Sequence, residues 1–150
     1  MKSANPYLNF NGNTEQAFDF YKSVFGGEFL MLVRFKDFPG NGMGASGADL
    51  DKIAHIALPL GGSNILMGTD TIESFGQKAV MGTNFFITLE PESVPEAERV
   101  FTQLAEGGTT QMPLQSTEWA EKYGSCVDKF GVQWMVSYTG NVKLEHSIQR

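Results

Sequence analysis

Apolar and polar positions alternate in two short stretches that match one another. In Asn5-Pro6-Tyr7-Leu8-Asn9-Phe10 the positions Pro6, Leu8 and Phe10 correspond to Phe85, Ile87 and Leu89 of Asn84-Phe85-Phe86-Ile87-Thr88-Leu89. Each stretch predicts a strand with one buried face, and their likeness predicts an internal repeat whose spacing is kept throughout. The period then lengthens to that of a helix. Ala17, Phe18, Tyr21, Val24 and Phe25 form one stripe, and Val94, Ala97, Phe101, Leu104 and Ala105 form another. Asn13 with Gln16, and Ser93 with Glu96, have the spacing of capping boxes, and Pro95 suits a first helical turn. Gly26-Gly27 and Gly107-Gly108 supply the stops.

Three more strands follow each helix: Glu28 to Lys36, Lys52 to Leu60 and Asn64 to Met67, then Thr109 to Gln115, Tyr123 to Asp128 and Gln133 to Tyr138. Gly61-Gly62 and Phe130-Gly131 provide the last hairpin of each set. The pattern predicts an α+β fold of two βαβββ modules, about residues 5–70 and 82–139, within one domain spanning 1–150. Each helix covers one sheet face, and the opposite faces form curved mixed sheets around a cup, closed within one chain or across two.

Composition narrows the class without changing the fold. Hydrophobic residues make up 41% and charged residues 19%, as in ordinary globular proteins. A net charge of −6 with scattered Lys and Arg leaves no basic stripe, so neither nucleic acid nor an anionic membrane is the expected partner. No apolar run has the length of a membrane span, and Met1-Lys2-Ser3-Ala4-Asn5-Pro6 does not resemble a signal peptide, so the expected location is the cytoplasm. The single Cys126 can form no intrachain disulfide and reads as a buried thiol.

Asn13-Thr14-Glu15-Gln16-Ala17-Phe18-Asp19-Phe20-Tyr21 with Gly26-Gly27 resembles the first helix of the vicinal-oxygen-chelate superfamily, which includes the glyoxalase and bleomycin-resistance proteins. Asp128-Lys129-Phe130-Gly131-Val132-Gln133-Trp134 resembles the hairpin before its last strand, in the form seen in the PhnB-like branch. Pro6-Tyr7-Leu8, Phe10, Gly12-Asn13, Met112-Pro113 and Trp119 fit the same branch, and the likeness runs from about Asn5 to Tyr138. Members of this branch are sometimes labelled 3-demethylubiquinone-9 3-methyltransferases. No glycine-rich nucleotide loop follows a strand here, so that label is not adopted for the activity.

The resemblance also implies where a metal would sit, on the first and last strands of each module. Those positions fall on Asn5 or Pro6, on Leu66 or Met67, on Asn84 and on Met135, none of them His, Asp or Glu. Amides and thioethers are weak ligands for divalent iron, zinc or nickel, so no metal and no other cofactor is expected. His146 lies in a polar tail beyond the last strand.

His55, in Ile53-Ala54-His55-Ile56-Ala57-Leu58, alternates away from Ile56, Leu58 and Leu60, which places it in the cup as a catalytic acid or base, a ligand-orienting group or a structural residue. Tyr7, Asn9, Met67, Asn84, Phe86, Gln133, Met135 and Ser137 are expected to line the same cup. Trp119, in a polar stretch between strands, is either a cover for a ligand or a dimer contact, and Asp128 reads as a structural hairpin residue. The glycine-rich segment Phe38 to Gly47 is either a flap over the cup or a loose excursion. The favoured function is metal-free binding of a small molecule in an apolar cup by a homodimer. Two alternatives are a metal-independent glyoxalase-like lyase or isomerase acting on a small carbonyl compound through His55, with Asn84 or Gln133 polarising an oxygen, and a dimeric regulatory or scaffold protein.

Overall fold

A computed structural model describes residues 1–143, which excludes the tail carrying His146. The chain forms two compact units, Met1–Val80 and the part from Met81 onward. In the first unit β1 (Tyr7–Phe10) leads into α1 (Thr14–Phe25), followed by β2 (Met31–Arg34), β3 (Ile53–Gly61) and β4 (Asn64–Asp70). The second repeats the order with β5 (Ile87–Leu89), α2 (Val94–Ala105), β6 (Thr109–Gln115), β7 (Lys122–Val127) and β8 (Gln133–Tyr138). The sheets are β1-β4-β3-β2 and β5-β8-β7-β6, each with its first and last strands parallel and the other pairs antiparallel. This is the α+β arrangement of two βαβββ modules with mixed sheets. Among the described residues no helix is long and apolar enough to cross a membrane.

Each helix buries most of the stripe its spacing predicts, with Phe25, Val94 and Ala105 only half-buried and Val100 added to the second stripe. Ala17, Phe18, Tyr21 and Val24 of α1 are covered, as are Ala97, Val100, Phe101 and Leu104 of α2. The strands offer Leu8, Phe10, Ile56, Leu58 and Leu66 in one unit and Cys126, Trp134 and Val136 in the other. Gly68 fits beneath α1 because it lacks a side chain: a Cβ there would lie 2.7 Å from a ring carbon of Phe18.

The predicted ends differ where tertiary bonds take over. Asn13 occupies the N-cap of α1 but makes no side-chain cap, so the expected box with Gln16 is not formed. The cap comes instead from Asp70 at the end of β4. Its Oδ1 accepts from the Gly12 and Thr14 amides at 3.1 and 3.0 Å and from the Thr14 hydroxyl at 2.6 Å, while Oδ2 accepts from the Ile53 amide at 2.8 Å. A carboxylate at a helix N-terminus also suits the helix dipole. In α2 the Ser93 hydroxyl accepts from the Glu96 amide as expected, but the Glu96 carboxylate turns to the Glu92 amide.

The repeat spacing also changes. The step from Tyr7 to Ile87 is kept from Thr14 to Val94 but shortens between Asn64 and Gln133, because the first unit carries extra chain between β2 and β3. The predicted strand from Glu28 to Lys36 contracts to β2, and single turns of 3-10 helix follow at Phe35–Asp37, Gly42–Gly44 and Gly47–Asp51. Phe35, Ala45 and Ile72 form a buried cluster with Leu50 and Ala54 against it, so this segment is a packed lobe and not a loose excursion.

Replacing Asp70 with Ala leaves three backbone amides and a hydroxyl without their acceptor in a buried place. The expected loss is about 3 kcal/mol or more, read as a lower urea midpoint, whereas a surface control, Asp19→Ala, should move it little. An Asp70→Ala midpoint equal to that of the parent would show that water replaces the carboxylate.

Candidate functional site

The side of the first sheet away from α1 carries the polar groups. Tyr7 and Asn9 alternate with the buried Leu8 and Phe10 on β1, and parallel pairing sets Tyr7 beside Met67 and Asn9 beside Thr69 of β4. On β3 alternation fails at one point. Val33 pairs with His55 and Arg34 with Ile53, so Ala54 is the extra residue of a β-bulge. Ile53 and Ile56 are therefore both buried though three residues apart, and His55 is left on the open side. The Thr69 hydroxyl donates to the carbonyls of Ala54 and Ile53, at 2.9 and 3.2 Å, at that irregularity.

The bulge brings His55 against Tyr7. The Tyr7 hydroxyl and His55 Nδ1 share a hydrogen bond of 3.0 Å, and the rings stack at 5.6 Å with 29° between their planes. Burial pushes the Tyr7 phenol above its ordinary value, against a smaller opposing effect of the Thr69 hydroxyl. Tyr7 thus stays protonated at neutral pH, and His55 Nε2 is the imidazole nitrogen left to meet a ligand.

A cavity of about 630 Å³ opens within the same unit, with Asn9 and Ala54 but not Tyr7, His55 or Met67 in its wall. Asn9, Thr69 and Ala54 line it from the sheet, Phe35, Phe38 and Met43 from the packed lobe, and Phe75 with Lys78 from the chain after β4. Phe38 and Met43 belong to the segment read as a flap or a loose excursion, whereas Phe35 and the Phe75 segment were not among the expected lining residues. Their signal in the sequence was the run of apolar residues among the glycines, which alternation along strands does not reach.

The remaining expected residues belong to the second unit. Met135 has its sulfur bonded by the Tyr123 hydroxyl at 3.1 Å, with the Thr88 hydroxyl at 3.9 Å. Ser137 pairs with Tyr123 across the β7–β8 ladder. Gln133 is 5% exposed and both ends of its amide are committed, Nε2 to the Phe85 carbonyl at 2.6 Å and Oε1 to the Gln111 amide at 3.1 Å. Its amide is thus held within the second unit by neighbouring groups. Asn84 and Phe86 are exposed just before β5. Trp119 is 47% exposed in a turn built on the Thr117 hydroxyl, which accepts from the Trp119 and Ala120 amides, and it meets the Tyr123 ring edge-on at 5.2 Å. Asp128 is a hairpin brace: it accepts from the Phe130 and Val132 amides and from the Trp134 indole.

At the positions where the superfamily places metal ligands, Asn5 Oδ1 accepts from the Ile65 amide at 3.0 Å and Leu66 is fully buried. With Pro6, Met67, Asn84 and Met135 completing the set, these donors do not fit a divalent metal. Among the described residues no three His, Cys, Asp or Glu side chains come together.

Two mixed sheets of this topology, each backed by one helix, define a glyoxalase-like fold. Glyoxalase-family proteins from Fulvimarina pelagi and Enterococcus faecalis share it at 14% and 17% identity, both with a TM-score of 0.56, a likeness of fold alone. Residues 2–137 match the family model described as 3-demethylubiquinone-9 3-methyltransferase, and the chain belongs to that PhnB-like family. It is 34% identical to Protein YjdN of Escherichia coli over 139 residues, covering 88% of this chain and 92% of that one. It is also similar to the crystal structure of protein PA1353 from Pseudomonas aeruginosa, at 39% identity and a TM-score of 0.78, covering 92% of this chain and 98% of that one. A PhnB protein from Bacillus cereus follows at 28% identity and 0.65, covering 91% and 99%.

Cys126 provides a check on the core beneath the second sheet. It is fully buried, and burial, with the neighbouring Asp128 charge adding to it, pushes the thiol up to about 11. At pH 8 a disulfide reagent should leave the folded protein unmodified and react at once with protein in denaturant. Rapid labelling of the native chain would place this thiol at the surface.

Proposed function

We propose that the protein binds a small organic molecule on the open face of its first sheet, without a metal ion. The observation that carries this reading is the cavity of about 630 Å³ that Asn9, Ala54 and Thr69 line from that sheet. Its volume falls in the range of small-molecule sites, and its wall combines apolar rings with a few hydrogen-bonding groups, as such sites do. Weak donors at the family's metal positions support the metal-free part. The methyl-transfer label draws no support from the first β–α turn, where the Gly12 and Thr14 amides that could bind a cofactor's anionic group already bond Asp70.

The Tyr7–His55 hydrogen bond favours one second reading, an enzyme that moves a proton on a small carbonyl compound. His55 would be the acid or base and Tyr7 would fix its ring and tautomer. Assembly as a homodimer belongs to the same proposal and is supported by Leu30, Met31 and Leu32, which stand exposed at the edge strand β2.

Thermal shifts with pools of small metabolites test the binding reading. A ligand at a hundred times its Kd adds about 2.7 kcal/mol, several degrees in Tm, and EDTA should leave the shift unchanged. No shift from any pool, or a shift that EDTA abolishes, rejects metal-free binding. For any ligand found, turnover by the parent and its loss in His55→Ala would move the reading from binder to enzyme. Light scattering behind a sizing column reads the mass, and a monomer at micromolar concentration rejects the homodimer.

A further inference from the structure

We propose that the cavity of the first unit selects a small carboxylate-bearing molecule with an aromatic or other planar apolar ring, the ring held by Phe38, Met43 and Phe75 and the carboxylate by Lys78. This deepens the binding reading above and rests on it; the addition is the chemical class of the ligand.

The apolar wall is exposed at a cost. Phe75 is 41% and Met43 58% exposed, although Phe35, 6.2 Å from Phe75 and nearly perpendicular to it, is buried. Rings presented edge and face around an open space suit another planar ring. Met43 is also the one non-glycine residue with positive φ among the described residues, at φ 58° and ψ 25°. A left-handed backbone is unfavourable for a residue with a Cβ, and such strain persists where the surroundings fix it. Gly42 does the fixing: a Cβ there would lie 2.6 Å from Leu50 Cδ2 and 3.1 Å from the Phe35 carbonyl oxygen, so the turn closes against both only because the position is glycine. The lobe thereby spends backbone strain on a turn whose side chain borders the cavity.

Charge sets the other half of the class. Two formally charged residues line the cavity, Asp70 and Lys78. Asp70 is 3% exposed and its oxygens are saturated by Gly12, Thr14 and Ile53. Lys22, Lys36 and Lys52 of the same unit are paired with Glu28, Asp51 and Asp49. Lys78 is exposed and makes no hydrogen bond or ion pair among the described residues. The Asn9 side chain, likewise without a hydrogen bond among the described residues, adds a neutral donor and acceptor on the sheet side. An unpaired cation and an amide beside aromatic rings favour an anionic head on a flat apolar body over a neutral or cationic ligand.

Isothermal titration with 3-phenylpropionate and its neutral amide, 3-phenylpropionamide, separates the two parts. The parent protein should bind the acid about three- to fivefold more tightly, the yield of one exposed ion pair. Lys78→Met should abolish that preference with little change for the amide, and Phe75→Ala should weaken both about tenfold. Both positions are exposed, so the variants should keep the parent's Tm without ligand. Equal binding of acid and amide by the parent, or a preference that survives Lys78→Met, overturns the proposal. So does a set of metabolite hits that are all neutral or cationic, which leaves small-molecule binding itself standing. Failure of every pool to shift Tm, together with no binding of either probe, removes the binding reading and this one with it.

Discussion

The four hydrogen bonds of the Asp70 carboxylate fix how strand, helix and bulge meet in the first unit. They tie the end of β4 to the start of α1 and to the first residue of β3. A charge buried to 3% exposure is tolerable only because each oxygen meets amide or hydroxyl donors. The bond to the Ile53 amide has a further effect: it pins the residue just before the Ala54 bulge, and the bulge decides that His55 meets Tyr7. Without that pin the strand could slip by one residue, and a slip of one exchanges its faces. Helix cap, strand register and dyad geometry thus depend on the same side chain.

The second unit solves the corresponding problem differently. Its buried carboxylate, Asp128, sits before the last hairpin and braces the turn and the Trp134 indole, while α2 caps itself through Ser93. With its cap supplied locally, α2 does not need an acceptor from the end of its last strand. The inside of each sheet is equivalent in the two units, and the outside is not. Only the first carries the lobe between its second and third strands, and the second fills its open side with bonds among Gln133, Gln111, Met135 and Tyr123.

What could be read from the chain follows the same division. Patterns with a fixed period were legible: both helices, the order of strands, the repeat and the face on which Tyr7 and Asn9 stand all follow from alternation by two or by 3.6. Interactions that join distant residues without any period were not. Asn13 has the local signature of a cap, yet a buried aspartate more than fifty residues away outcompetes it, because a charged acceptor bonds amides more strongly than a neutral side chain. Gln133 was expected to project from the open face, but it is buried with its amide bonded to Phe85 and Gln111. The lobe read as a glycine-rich segment of uncertain purpose, since nothing in the spacing of Phe35, Ala45, Leu50 and Ile72 announces that they pack together.

The loss of periodicity in that lobe is also what sets the first unit's face apart. A bare sheet face offers side chains on a regular grid, and a duplicated fold would offer the same grid twice. The glycines at 42 and 44 let the chain turn back on itself, set Met43 and Phe75 beside the sheet and leave room above Asn9 and Thr69. The two faces then differ in which irregular segment borders the grid and which charge it leaves unpaired. A PhnB protein keeps the framework at 28% identity, and change in the connection between the second and third strands is a physically inexpensive route to a different open face. The helix-backed core beneath the sheet does not have to move for it.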